Sequence, residues 1–148
     1  HYYTGHNLLP LKFETKPQAW KVQFIERAAN FADLILPDDI TLIDYLEVSQ
    51  DFFLVGGMIK EIFDKLNNGI AVVALQKNRG TDLGLGGYRS LEKARLYLAM
   101  SWKKIKIVKA KNWATSTNPN RLAHHFDLVD GATFIRRGDW FLDNEKGD

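Results

Sequence analysis

At 148 residues, with 45% hydrophobic and 26% charged side chains, the chain has the composition of one globular domain. It is long enough to bury about two thirds of its unfolded surface, and disorder over most of its length is excluded. A net charge of +2 excludes a global basic field, so any polyanion site is a local patch. The lack of cysteine excludes a disulfide framework and thiolate metal sites and fits a reducing, cytoplasmic setting, and no apolar run approaches the ~18 residues of a membrane span.

The sequence opens at HYYTGHNLLP without a Met, which reads as a piece whose upstream part lies elsewhere. Residues 1–19 form a weakly patterned lead-in. Alternation of Trp20, Val22 and Phe24 with Lys21 and Gln23 predicts a strand over 20–25, and Ala28 to Ile35 carries a short helical pattern. Pro37-Asp38-Asp39 breaks the chain before TLIDYLEV, Thr41 to Val48, an apolar strand that turns polar at its carboxyl end. A helix beginning at Ser49 or Gln50 aligns Phe52, Val55, Ile59, Ile62, Phe63 and Leu66 on one face, and Asn67-Asn68-Gly69 suits a left-handed C-cap. A second apolar strand over 70–76 completes a strand–helix–strand crossover.

RGTDLGLGGYR, Arg79 to Arg89, holds four glycines in eleven residues and reads as a mobile loop, with a helical turn beginning near Ser90 and Glu92/Lys93. From Arg95 the texture becomes antiparallel. RLYLAMSW, KKIKIVKAK, HHFDLVD and ATFIRR alternate between turns near Lys103, Asn118-Pro119-Asn120 and Gly131. The tail after Trp140 is acidic and reads as frayed. Residues 20–94 thus make an α/β part and 95–140 an antiparallel part of one domain.

Open α/β sheets place ligand chemistry at the carboxyl ends of their strands, which singles out Asp44, Glu47 and Gln76. An Asp closing an apolar strand suits Mg²⁺ in phosphoryl transfer, and it equally suits a turn cap. Glu47 can polarise water or be an exposed carboxylate. Gln76 can donate and accept a hydrogen bond, or simply end a strand in solvent. The loop lacks the Gly-Lys-Ser/Thr ending of a phosphate cradle. Lys77, Arg79 and Arg89 flank it as candidate phosphate contacts, with Tyr88 as a stacking platform. Lys103, Lys104, Lys106, Lys109 and Lys111 read as the solvated face of an edge strand. His124 and His125 are adjacent, so a strand sends them to opposite faces, and no histidine is assigned to a metal.

Ile43-Asp44-Tyr45-Leu46 closely resembles the Walker B strand of RecA-like ATPases of the DnaB-type replicative helicases. ALQKNR resembles that family's SQLNR stretch with Leu75 in place of the Ser. SLEKA resembles its S.EQ.AD turn, IKIVKAKN its IIIAKQRNG strand, and HHFDLVDGATFI its closing hairpin. The resemblance spans roughly Ile40 to Ile135. It implies an α/β, RecA-like, partly parallel sheet flanked by helices, with C-terminal antiparallel strands. It also implies ATP hydrolysis with Mg²⁺ held by Asp44, a γ-phosphate sensor at Gln76, and a single-stranded DNA contact along 79–89. A homo-oligomeric ring such as a hexamer would let Lys111 reach the neighbour's nucleotide. Trp113 stands where the family has its trans-acting Arg. The sequence nowhere contains GxxxxGK[ST], so the P-loop is expected outside this chain, as part of an ATP-dependent helicase or translocase of replication or recombination. The alternative is a RecA-like module that binds nucleic acid or a partner without hydrolysis. A metal-dependent nuclease built on Asp44 and Glu47 would need further clustered carboxylates.

Overall fold

The structure, a computed structural model, describes residues 22–48 and 51–144. Two short strands, β1 (Ile40–Ile43) and β2 (Ile70–Val73), run parallel in the register Ile40↔Ile70 to Ile43↔Val73. Between them lies α1 (Val55–Lys65), entered through a 3-10 turn at Phe52–Leu54. The helical period of the sequence decides which face of α1 is buried. Val55 and Ile62 join Phe31, Ile35, Ile43 and Leu46 in the core, with Met58 and Ile59 packed against it, while Lys60 and Asp64 pair on the solvent side.

The second sheet has the order β3-β4-β5-β6 and is antiparallel throughout: Leu96–Ser101, Lys104–Ala110, Leu122–Val129 and Thr133–Leu142. Trp102 and Lys103 (φ 53°) make a tight turn between β3 and β4. Asp130 (φ 52°) and Gly131 (φ 68°) turn β5 into β6. The fold is therefore mixed α/β, with one small parallel sheet and one four-stranded antiparallel sheet. Among the described residues no helix is long and apolar enough to cross a membrane.

Several expected elements differ. Residues 22–27 form no strand, while Trp20 and Lys21 lie outside the described residues. The pattern over 28–35 yields only a 3-10 turn, Phe31–Leu34, because its apolar stretch meets Pro37 within one turn of its end. The start expected at Ser49 or Gln50 also lies outside the described residues. Strand pairing is shorter than the apolar runs, since the ladder closes at Ile43 and Val73, although two further bonds (Ala74 N–H to Ile43 O and Leu46 N–H to Ala74 O, both 2.9 Å) carry the alignment onward.

No left-handed residue caps α1. Leu66 is extended instead, and Asn67 and Gly69 donate their N–H groups to Pro37 O at 2.8 Å each. Leu66 N–H closes the last turn onto Phe63 O at 3.1 Å, and the two bonds to Pro37 tie the chain leaving the helix to the segment that enters β1. The helical turn expected from Ser90 begins earlier, as a 3-10 turn at Gly87–Leu91. β6 continues through Leu142, and Asp143 beyond it is buried, so the chain is still ordered past Trp140. β4 is an interior strand, not an edge: its lysines are bonded to other parts of the chain rather than lining a solvated face.

Candidate functional site

Side chains alternate along β3, so Tyr97, Ala99 and Ser101 share one face and Leu96, Leu98 and Met100 the other. The segment 77–91, which follows β2, folds onto the first of these faces. Lys77 Nζ donates to Thr81 O (2.8 Å) and to Ser101 Oγ (3.2 Å). Asp82 pairs with Lys106 at 2.7 Å, and Gly84 N–H donates to the Tyr97 hydroxyl at 2.7 Å. Expected as a free loop, the segment is tied to the antiparallel sheet at each of these points. Its glycines permit this. At Gly86 (φ 90°) a Cβ would stand 2.8 Å from that of Val55, so only glycine lets the turn lie against α1.

Asp44 and Gln76 lie beyond the carboxyl ends of the two parallel strands, where the residual ladder keeps the chains side by side. Both are exposed, as is Glu47. Gln76 O accepts the Leu85 N–H at 2.8 Å, so the segment 77–91 is rooted on the residue expected to sense phosphate. Among the described residues no three His, Asp or Glu side chains gather into a metal site.

Of the four residues expected at nucleic acid, Tyr88 is 82% exposed, and Arg79 and Arg89 are exposed as well. Lys77 is different, since its amine bridges the segment to β3 and is occupied in holding the loop. Lys111 Nζ donates to Glu92 O (3.2 Å), and Lys109 Nζ to Leu91 O (2.5 Å). Both amines sit on carbonyls at the end of the 3-10 turn, where cations are favoured. Burial holds the Lys109 amine below the ordinary lysine value, the charge of Lys111 adds to this, and Glu92 pulls the other way.

Two further side chains build this region, one read from the sequence as solvent-facing and one not singled out there. Lys106 is buried and pairs with Asp82 and, at 3.5 Å, with Asp143, which also takes Lys104 at 2.9 Å. Tyr97 is the other. Its signal was a phenol on the small, polar side of an alternating strand, opposite Leu96 and Leu98.

His124 and His125 point to opposite faces. His124 is buried edge-on to Trp140, and His125 stacks on Phe141.

Both sheets leave an apolar face uncovered by the described residues. Ile40, Leu42, Ile70 and Val72 of the parallel pair are each more than half exposed, and Leu96, Leu98 and Met100 stand open on β3. A shallow groove lined by Ala28, Phe31, Met58 and Ile62 lies between the first 3-10 turn and the middle of α1 and holds no cluster of ionisable groups. No family model, curated protein or solved structure matches the chain.

Proposed function

We propose that this chain is the carboxyl-terminal part of a RecA-like ATPase of the replicative-helicase kind, which hydrolyses ATP with a P-loop supplied from outside these residues and moves on single-stranded DNA. The observation that carries this reading is the direct attachment of segment 77–91 to Gln76 at the edge that also holds Asp44. The bond is from Leu85 N–H to the main-chain carbonyl of Gln76, so a shift of the Gln76 backbone on meeting a γ-phosphate would move Leu85 with it, and the exposed Arg79, Tyr88 and Arg89 lie on that same segment. Asp44 would be the carboxylate that holds a Mg²⁺ at the phosphates, whose charge would help neutralise the transferring group, and Glu47 would polarise the attacking water. Arg79 and Arg89 meet backbone phosphates and Tyr88 stacks on a base.

The uncovered apolar faces support the same reading. Parallel strands are ordinarily covered on both sides, and here one side is bare. In a ring of copies Lys111 would exchange its bond to Glu92 O for a neighbour's phosphate, a small change for an exposed ammonium. The cytoplasm is where such a DNA motor works.

The test is ATP turnover by the native gene product that contains this chain, with and without single-stranded DNA. Expected are DNA-stimulated turnover, its loss by a factor of about a hundred or more on Asp44→Ala, and ATP binding without DNA stimulation on Gln76→Ala. A product that neither binds nor hydrolyses ATP yet retains single-stranded DNA would sink the motor and leave a non-hydrolysing binding module.

A further inference from the structure

Segment 77–91 presents its exposed groups from a frame whose centre is one phenol. We propose that Tyr97 on β3 is a positioning residue that sets Tyr88 and Arg89 for contact with a single-stranded polyanion, a role that rests on the nucleic-acid reading above.

The Tyr97 oxygen accepts the Gly84 N–H at 2.7 Å and lies 3.2 Å from Ser90 Oγ. Ser90 is 1% exposed, and its hydroxyl donates to Gly87 O at 2.7 Å. A serine has one proton to give. With that proton on Gly87 O, the phenol must donate to Ser90 Oγ, and the chain of bonds has a single direction: Gly84 N–H to Tyr97, Tyr97 O–H to Ser90, Ser90 O–H to Gly87 O. Every member is satisfied, the condition under which a polar network of this kind fixes one geometry.

The chain of bonds pins residues 84, 87 and 90. Tyr88 and Arg89 are held between two of these anchors, and both are exposed. There is no slack at the first anchor. A Cβ on Gly84 would lie 3.0 Å from the Tyr97 oxygen and 2.9 Å from Leu75 Cβ, and the next residue, Leu85, is bonded to Gln76. The phenol therefore fixes both the spacing of the segment from β2 and the placement of its outer turn. Binding then does not have to order the turn, and affinity rises by what that ordering would have cost.

The experiment uses this chain, a fluorescein-labelled oligothymidylate titrated at several salt concentrations, and amide spectra of the ¹⁵N-labelled protein. Tyr97→Phe is expected to shift the Gly84 and Gly87 amide signals, to weaken oligonucleotide binding about fivefold, and to flatten the dependence of affinity on salt as fewer phosphates are met. Ser90→Ala, which keeps the Gly84 bond, should give a smaller loss, and the two changes together should do little more than Tyr97→Phe alone. A role in folding alone would lower the melting temperature and leave the salt slope unchanged. Equal binding by Tyr97→Phe and the native chain, with the Gly84 signal displaced, would overturn the positioning role and spare the nucleic-acid reading. A native chain that binds no oligonucleotide would overturn both.

Discussion

Single carboxylates do much of the tying in this chain. Asp127 takes Lys103 and Arg137, Asp143 takes Lys104 and Lys106, and Asp38 takes both Asn67 and Asn68. The last of these has a direct pH consequence. The backbone N–H of Asn68, then its side-chain amide and that of Asn67, hold the Asp38 carboxyl below its ordinary value of 3.8. These donors favour the ionised form, so the folded state releases the proton more readily than the unfolded chain. Asp38 therefore contributes stability that is complete above the ordinary carboxylate value and is lost as pH falls through its lowered folded value. Melting curves of native protein and Asp38→Asn are expected to differ by a constant amount above about pH 5 and to converge in more acid solution. A gap that widens on acidification would show that the Asn67–Asn68 contacts do not act through the charge.

For the elements, periodicity carried most of the information. The 3.6-residue spacing of Val55, Ile59 and Ile62 marked the buried face of α1, and Ile62→Ala is expected to cost about 2–4 kcal/mol in denaturant unfolding, because Ile62 is 2% exposed and its cavity cannot refill. Lys60→Ala on the opposite face should change stability by no more than about 0.5 kcal/mol. Equal costs at the two positions would mean that α1 is not seated as described. Alternation likewise made the antiparallel strands legible, including the turns at Lys103 and Gly131.

What the sequence concealed were long-range polar pairings. Nothing local to KKIKIVKAK says that Lys106 is buried against Asp82, since a lysine on an interior strand looks the same as one on an edge until the neighbouring strand is known. The segment 79–89 was misjudged for a related reason. Four glycines suggest freedom, whereas here two of them, Gly84 and Gly86, let backbone approach Tyr97 and Val55 closely enough to be held. That Asp44 and Gln76 lie past the paired stretch was legible from the polar turn of the two runs, but the length of the pairing was not, since the ladder closes at Ile43 and Val73, within the apolar runs.

Taken whole, the molecule carries more apolar sheet surface than its own described elements cover. Scattered exposed hydrophobic residues are ordinary on a folded protein, but Ile40, Leu42, Ile70 and Val72 are paired neighbours on one face of two adjacent strands. Their exposure makes a prediction about the isolated chain that does not depend on any ligand. Leu42→Thr with Val72→Thr keeps β-branched or strand-compatible side chains and removes apolar area only from the bare face. In the isolated chain this pair should leave the melting temperature nearly unchanged, reduce binding of a hydrophobic dye, and reduce self-association in sedimentation. In the longer native product, where the proposed function has this face covered, the same pair should destabilise by about 2–4 kcal/mol, since Leu42 and Val72 would then be core residues. The contrast between the two settings is the informative result. If the substitutions are silent in both, the face is open in the native protein as well, and the bare side of the parallel pair no longer supports a missing nucleotide-binding half.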